Sequence, residues 1–223
     1  MPAATELIAS LRRDIAGLEH RLSGHPYVAA AEAGRLTRDD LRVFAGQQHR
    51  IIGSDLRSVA LLVHRYGGTP SGEFFAVSLA TETAAAEKLA AFARALGLAW
   101  PHDLAAVEPL PGALAYTHFV AWLALYGTDA EFAAAFLVNL PAWGRNCGRL
   151  ARALRARYGL ADDAVGFFDL FAADAPDFEA AAAAVIQGGL DRGVAPAAIR
   201  DAARLLQGYE LMYWDALQAA AGG

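Results

Sequence analysis

A glutamate stands where a core residue belongs in the segment Tyr209-Glu210-Leu211-Met212-Tyr213-Trp214-Asp215. At helical spacing the apolar positions run Ile199, Ala203, Leu206, then Glu210, then Tyr213 and Leu217. A carboxylate on that stripe faces the interior, where an unpaired charge is expensive and is neutralised or hydrogen-bonded instead. Burial also raises its pKa toward a useful range, and such a group often marks a ligand site. The structural alternative is a glutamate tied to a neighbouring helix.

Two further stripes are broken by polar residues. One reads Leu41, Phe44, Gln48, Ile51, Asp55, Val59, Leu62 and turns Gln48 and Asp55 inward with the hydrophobes. The other reads Phe132, Phe136, Asn139 or Leu140, Trp143, Cys147, Leu150, Leu154. Polar groups on separate helices, mixed with Phe44, Tyr116, Trp143, Tyr213 and Trp214, predict an aromatic-lined cavity inside a bundle. A hydrogen-bond network with no ligand would give the same pattern.

Other chemistries find little support. None of His20, His25, His49, His64, His102 and His118 follows a carboxylate at the spacing of a di-iron pair on an apolar stripe. Glu82 and Glu87 share a helix without a histidine, so no metal or other cofactor is expected. Cys147 sits on an apolar stripe, which favours packing over nucleophilic work. With no strands predicted, there is no strand-borne glycine-rich phosphate loop.

The elements that position these residues read as helices throughout, giving an all-α bundle in one domain over residues 1–223. A first helix spans about Thr5 to Leu22 and stops at Ser23-Gly24, and a short one follows Pro26. A long one starts at Thr37, where Thr37 and Asp40 form a capping-box pattern, and ends near Gly67-Gly68. The next runs from Gly72 to Leu96. A proline-rich turn at residues 108–112 leads into a helix with Tyr116, Phe119 and Trp122. Another runs from Asp129 to about Tyr158, and two more lie around Asp177–Arg192 and Pro196–Ala220. Short loops predict that sequential helices pack together.

The formal charge is −5, and no basic stretch stands out, so no nucleic-acid partner is expected. Arg149, Arg152, Arg155 and Arg157 read as a solvated face. The single cysteine excludes an intramolecular disulfide and fits a reducing compartment. The N-terminus has no signal-peptide pattern, and no apolar run approaches the roughly 20 residues that cross a bilayer. The expectation is a cytoplasmic chain with a small-molecule ligand and no membrane partner.

Several motifs, in order, carry a resemblance. His25-Pro26-Tyr27 leads through an acidic-Ala-Gly-Arg-Leu-Thr run to Thr37. Asn139-Leu140-Pro141-Ala142-Trp143 follows, then Phe167-Phe168-Asp169-Leu170-Phe171 with Asp177-Phe178-Glu179, then Tyr209 to Asp215. Together they resemble the TenA/PqqC group of the heme-oxygenase-like superfamily. The resemblance implies seven or eight helices around an internal pocket, in a homodimer or homotetramer. It further implies thiaminase II-type hydrolysis of aminopyrimidines, with a glutamate as acid/base and a cysteine as nucleophile. That glutamate carries over to Glu210, the pocket aromatic to Phe171, and a middle-helix tyrosine to Tyr116.

This chain departs from the pattern at the nucleophile, where Ala142 occupies the cysteine position. Asn146 replaces a tyrosine one turn later, Gln48 a pyrimidine-binding aspartate, and Ile51 another tyrosine. Cys147 lies about 140° around the helix from Ala142 and is not a stand-in. For PqqC-type oxidation, Gln48 sits where a pocket arginine would fall. For heme, His20 lacks the surrounding motif.

The sequence thus predicts a pocket lined by Gln48, Asp55, Tyr116, Trp143, Asn146, Phe171 and Tyr213 around Glu210. The resemblance implies binding of a small planar nitrogen heterocycle and, if the chain is active, its hydrolysis with Glu210 as acid/base and water as nucleophile. The alternatives are a non-catalytic binding or accessory protein and a diverged biosynthetic oxidase.

Overall fold

A computed structural model describes residues 2–222, which form eleven helices and no strand among the described residues. They are α1 (Pro2–Asp14), α2 (Ala16–Ser23), α3 (Pro26–Glu32), α4 (Arg38–Tyr66), α5 (Gly72–Ala95), α6 (His102–Ala106), α7 (Pro111–Tyr126), α8 (Asp129–Tyr158), α9 (Asp162–Ala172), α10 (Pro176–Asp191) and α11 (Pro196–Ala221). Eight of the eleven exceed ten residues, and these make the body of the bundle.

Local chemistry sets the two longest helices. Thr37 caps α4 by accepting from the Asp40 amide while the Asp40 carboxylate accepts from the Thr37 amide. Thr128 and Glu131 do the same for α8. These reciprocal caps satisfy amides that would otherwise lack a partner in the first turn. Gly159 ends α8 with φ +66°, a conformation that disfavours any residue with a Cβ.

The structure corrects three element boundaries. The first helix is broken at Ile15 into α1 and α2, and Ile15 itself is fully buried. The helices α6 and α9 are additions to the pattern read from the sequence. Both lack a side-chain N-cap and α6 is only five residues long, so their start is marked only by acidic first-turn residues, Asp103 in α6 and Asp162 and Asp163 in α9.

Packing follows sequence order for α4 with α5 and for α8 with α9, but α11 lies against α7 and α8. The apolar interior has two parts. One gathers Tyr27, Phe44, Phe92, Phe167, Phe168 and Trp214, and the other Phe74, Phe75, Phe132, Ile199 and Leu206. Tyr116 and Leu140 pack against both. Phe44 holds the first part together, with its ring within 6.4 Å of the rings of Phe92, Phe167, Phe168, Tyr213 and Trp214. Such pairs add about 0.5–1.5 kcal/mol each beyond area burial.

The arginines late in α8 tie it to its neighbours as well as meeting solvent. Arg149 makes a bidentate bond to Glu32 of α3 at 2.8 and 2.6 Å, and Arg155 pairs with Asp162 and Asp169 of α9. Among the described residues, no helix is long and apolar enough to cross a membrane.

Candidate functional site

Residues on six helices converge where the two parts of the core meet. From α4 come Gln48, Ile51, Ile52 and Asp55, and from α8 come Phe136, Asn139, Leu140 and Trp143. Each set runs i, i+3, i+4, i+7 and so shares one face. Glu210 and Tyr213 of α11, Tyr116 of α7 and Phe171 at the end of α9 complete most of the wall, and Glu82 of α5 closes it. The chamber encloses about 50 Å³, room for a few water molecules. A larger cleft of about 920 Å³ lies outside, between α5, α8 and the segment joining α9 to α10. Glu82, Phe136, Leu140 and Phe171 line both spaces.

Glu210 is 2% exposed and holds two hydrogen bonds. Asn139 Nδ2 donates to Oε2 at 2.5 Å, and Trp214 Nε1 donates to Oε1 at 3.0 Å. Burial raises the Glu210 carboxyl to about pKa 8, while the Trp214 bond, the charge of Arg145 and the Asn139 bond pull the other way. Near neutrality the group is mostly protonated, and the same site that accepts two bonds has one proton to give. Tyr116 extends the network, its hydroxyl 3.4 Å from Asn139 Oδ1.

Asp55 contrasts with Glu210. It is 3% exposed, and its Oδ1 has no hydrogen-bond partner. Burial holds its carboxyl well above the usual carboxylate range, and the neighbouring Glu82 adds to the effect. Glu82, partly exposed at the boundary with the cleft, is pushed up to about 7 by burial. The Tyr116 phenol is raised by burial and then by Asp55, Glu82 and Glu210, so it feels all three carboxylates. The Tyr213 hydroxyl is buried without a bond of normal geometry, and the Gln48 amide is the polar side chain placed to influence it.

Seven of the eight residues expected from the sequence line the chamber: Gln48, Asp55, Tyr116, Trp143, Phe171, Glu210 and Tyr213. Asn146 does not. Its Nδ2 donates to the Leu22 carbonyl at 3.1 Å, which turns it toward α2. Ala142 and Cys147 are buried away from the chamber, and burial raises the Cys147 thiol far above its ordinary value. Glu82 is an addition to the expected site, although it shares a helical stripe with the buried Ala85, Leu89 and Phe92. Asn139, interchangeable with Leu140 by periodicity, proves to be the donor that holds Glu210. Among the described residues, no three His, Cys, Asp or Glu side chains are grouped to hold a metal ion.

A sequence model of the TENA/THI-4/PQQC family matches residues 12–166, more than two thirds of the chain. The chain belongs to this family. The matched stretch contains Gln48, Asp55, Glu82, Tyr116, Asn139 and Trp143, whereas Phe171, Glu210 and Tyr213 lie beyond it. The fold of this TENA/THI-4/PQQC member is shared with a TenA homologue from Pseudomonas syringae pv. tomato, with TM-score 0.79 and 15% identity, covering 95% of this chain and 92% of that one. A domain from Shewanella denitrificans described as having a heme oxygenase-like fold superposes with TM-score 0.74 at 12% identity, over 95% and 92% of the two chains. A candidate TenA-like thiaminase from Sulfolobus solfataricus gives 0.67 at 14% identity, over 96% of each. No curated protein matches the chain by sequence.

Proposed function

We propose that the chamber binds a small planar nitrogen heterocycle of the aminopyrimidine class and hydrolyses it, with Glu210 as anchor and acid/base. The observation that carries this reading is the Glu210 carboxyl, buried on the chamber wall and held by Asn139 and Trp214. A fixed, neutral carboxyl can donate to a ring nitrogen and, once ionised, accept from an amino group. Aromatic walls suit the ring faces, with Trp143 between Tyr213 at 5.8 Å and Phe171 at 5.9 Å. Family membership and the thiaminase-like neighbour support a thiamin-related ligand.

Among the described residues the chamber wall holds no thiol, lysine, histidine, serine or threonine, and in this reading water is the nucleophile. The water oxygen bonds to the carbon that carries the leaving group, and the old bond breaks with its electron pair on the departing heteroatom. Glu210 gives its proton to that heteroatom and takes one from the attacking water, ending as it began. Entry of a ring displaces the side chains at the boundary with the cleft, Leu140 and Phe171 first, because the free space holds only a few waters.

The test is thermal unfolding with and without a saturating aminopyrimidine alcohol. At about 100-fold over its dissociation constant, the ligand adds roughly 2.7 kcal/mol, a shift of several degrees for a chain of this size. The shift is expected in the wild type and lost in Glu210→Gln. No shift in either protein removes the aminopyrimidine reading. A shift without turnover favours the second reading, binding alone, which the missing thiol in the chamber also favours.

A further inference from the structure

The α4–α5 wall of the chamber carries chemistry that the Glu210 network does not use. We propose that Asp55 and Glu82 form a cation subsite that takes the amidinium or protonated amino end of the ligand. This rests on the reading of the chamber as a ligand site and specifies the charge of what enters it.

Three observations point there. First, the chamber holds three carboxylates, Asp55, Glu82 and Glu210, and no lysine, arginine or histidine lines it. Second, the carboxylates are unequally served. Glu210 accepts from Asn139 and Trp214 and feels Arg145, whereas Asp55 Oδ1 is buried with no partner at all. A buried polar atom left unpaired is destabilising, more so if charged, so its presence needs an explanation. Third, Asp55 and Glu82 act on each other electrostatically, as two acids aimed into one space do. Without a cation such a pair keeps a proton, because two adjacent buried charges repel. An organic cation between them lets both ionise and turns the repulsion into charge-assisted hydrogen bonds.

The position of Glu82 adds a role in capture. It lines the outer cleft as well as the chamber, and although Arg145, Arg149 and Arg152 also line that cleft, Glu82 is the carboxylate common to both spaces. The walls around the pair are apolar or aromatic, with Ile51, Ile52, Phe136 and Tyr116. A planar cation such as an arylamidinium matches such a lining, because aromatic faces attract positive charge. A neutral ring of the same shape gains the packing and forfeits the charge.

The test compares benzamidine with benzamide, planar probes of nearly equal size that differ in charge at neutral pH. Calorimetric titration of the wild type should show benzamidine binding at least tenfold tighter. Asp55→Asn and Glu82→Gln should each reduce that preference several-fold, and the double variant should abolish it. Glu210→Gln should retain it. Each variant's unliganded thermal midpoint reports folding, and removing an unpaired buried acid should leave it unchanged or raised. Equal affinity for the two probes in the wild type, or binding of neither, overturns the proposal. So does a preference that survives in the folded double variant. A benzamidine preference without any response to the aminopyrimidine alcohol keeps the cation subsite and removes the heterocycle assignment. The reverse pattern keeps the heterocycle and removes the subsite.

Discussion

Glu210 and its neighbours trade stability for an interior proton. Folded, Glu210 keeps its proton to about pH 8, whereas an ordinary glutamate loses it near 4.5. Folding therefore takes up a proton anywhere between those values. The group's contribution is most favourable below about pH 4.5 and is lost as pH rises through 8. Glu82, at about 7, adds a slope of the same sign that ends a unit lower. A tenfold difference in proton affinity between folded and unfolded chain is worth about 1.4 kcal/mol, so the loss of stability grows with each pH unit until the folded carboxyl ionises. Denaturant unfolding at pH 5, 6, 7 and 8 should show Glu210→Gln gaining on the wild type as pH rises. Parallel profiles would mean that the folded Glu210 is ionised throughout.

At the scale of the helices, close contact between α8 and α9 sets the far wall of the site. A Cβ on Gly144 would lie 2.5 Å from the Phe171 carbonyl oxygen, a backbone atom that no side-chain rotation can move. Gly144→Ala must push the end of α9 away, at about 1–3 kcal/mol. It should also weaken aminopyrimidine binding several-fold, because Phe171 moves with α9. Gly53→Ala on α4 is the opposite case, with nothing within 4 Å of the new methyl. It should stabilise by about 0.8–1 kcal/mol through helix propensity, and thermal unfolding of the two variants checks both signs. Both long helices are readable from sequence because their starts are local chemistry, Thr37 with Asp40 and Thr128 with Glu131. Most of the chamber residues are readable because they interrupt or flank apolar stripes. Glu82 is harder to read, because it shares a stripe with Ala85, Leu89 and Phe92 but the many alanines of α5 leave that stripe weakly marked. Asn146 misleads it for a different reason. Through its middle α8 is buried nearly all round, and periodicity cannot tell the face toward the chamber from the face toward α2.

Over the whole molecule, the chamber lies at the seam between two packed regions, where Tyr116 and Leu140 touch both. A seam can open locally, by moving Leu140 and Phe171 at the cleft, or globally, by parting the regions along α8. Cys147 distinguishes these routes. It is fully buried in the region that also holds Trp143 and Trp214, off the chamber wall, with its thiol pKa raised by burial. Local opening leaves it covered, so labelling by a thiol reagent requires global unfolding. In native buffer the labelling rate should then fall below that of unfolded chain by at least about a thousandfold, and it should track the denaturant unfolding curve. Rapid labelling of the native protein, slowed by the aminopyrimidine alcohol, would show that α8 itself parts when ligand enters. Iodoacetamide provides the matching test of chemistry. If the proposed hydrolysis uses water while Cys147 stays sealed, turnover of an aminopyrimidine substrate by the folded protein should be unchanged after treatment. Loss of turnover in proportion to alkylation, with the fold intact, would return the thiol to the mechanism.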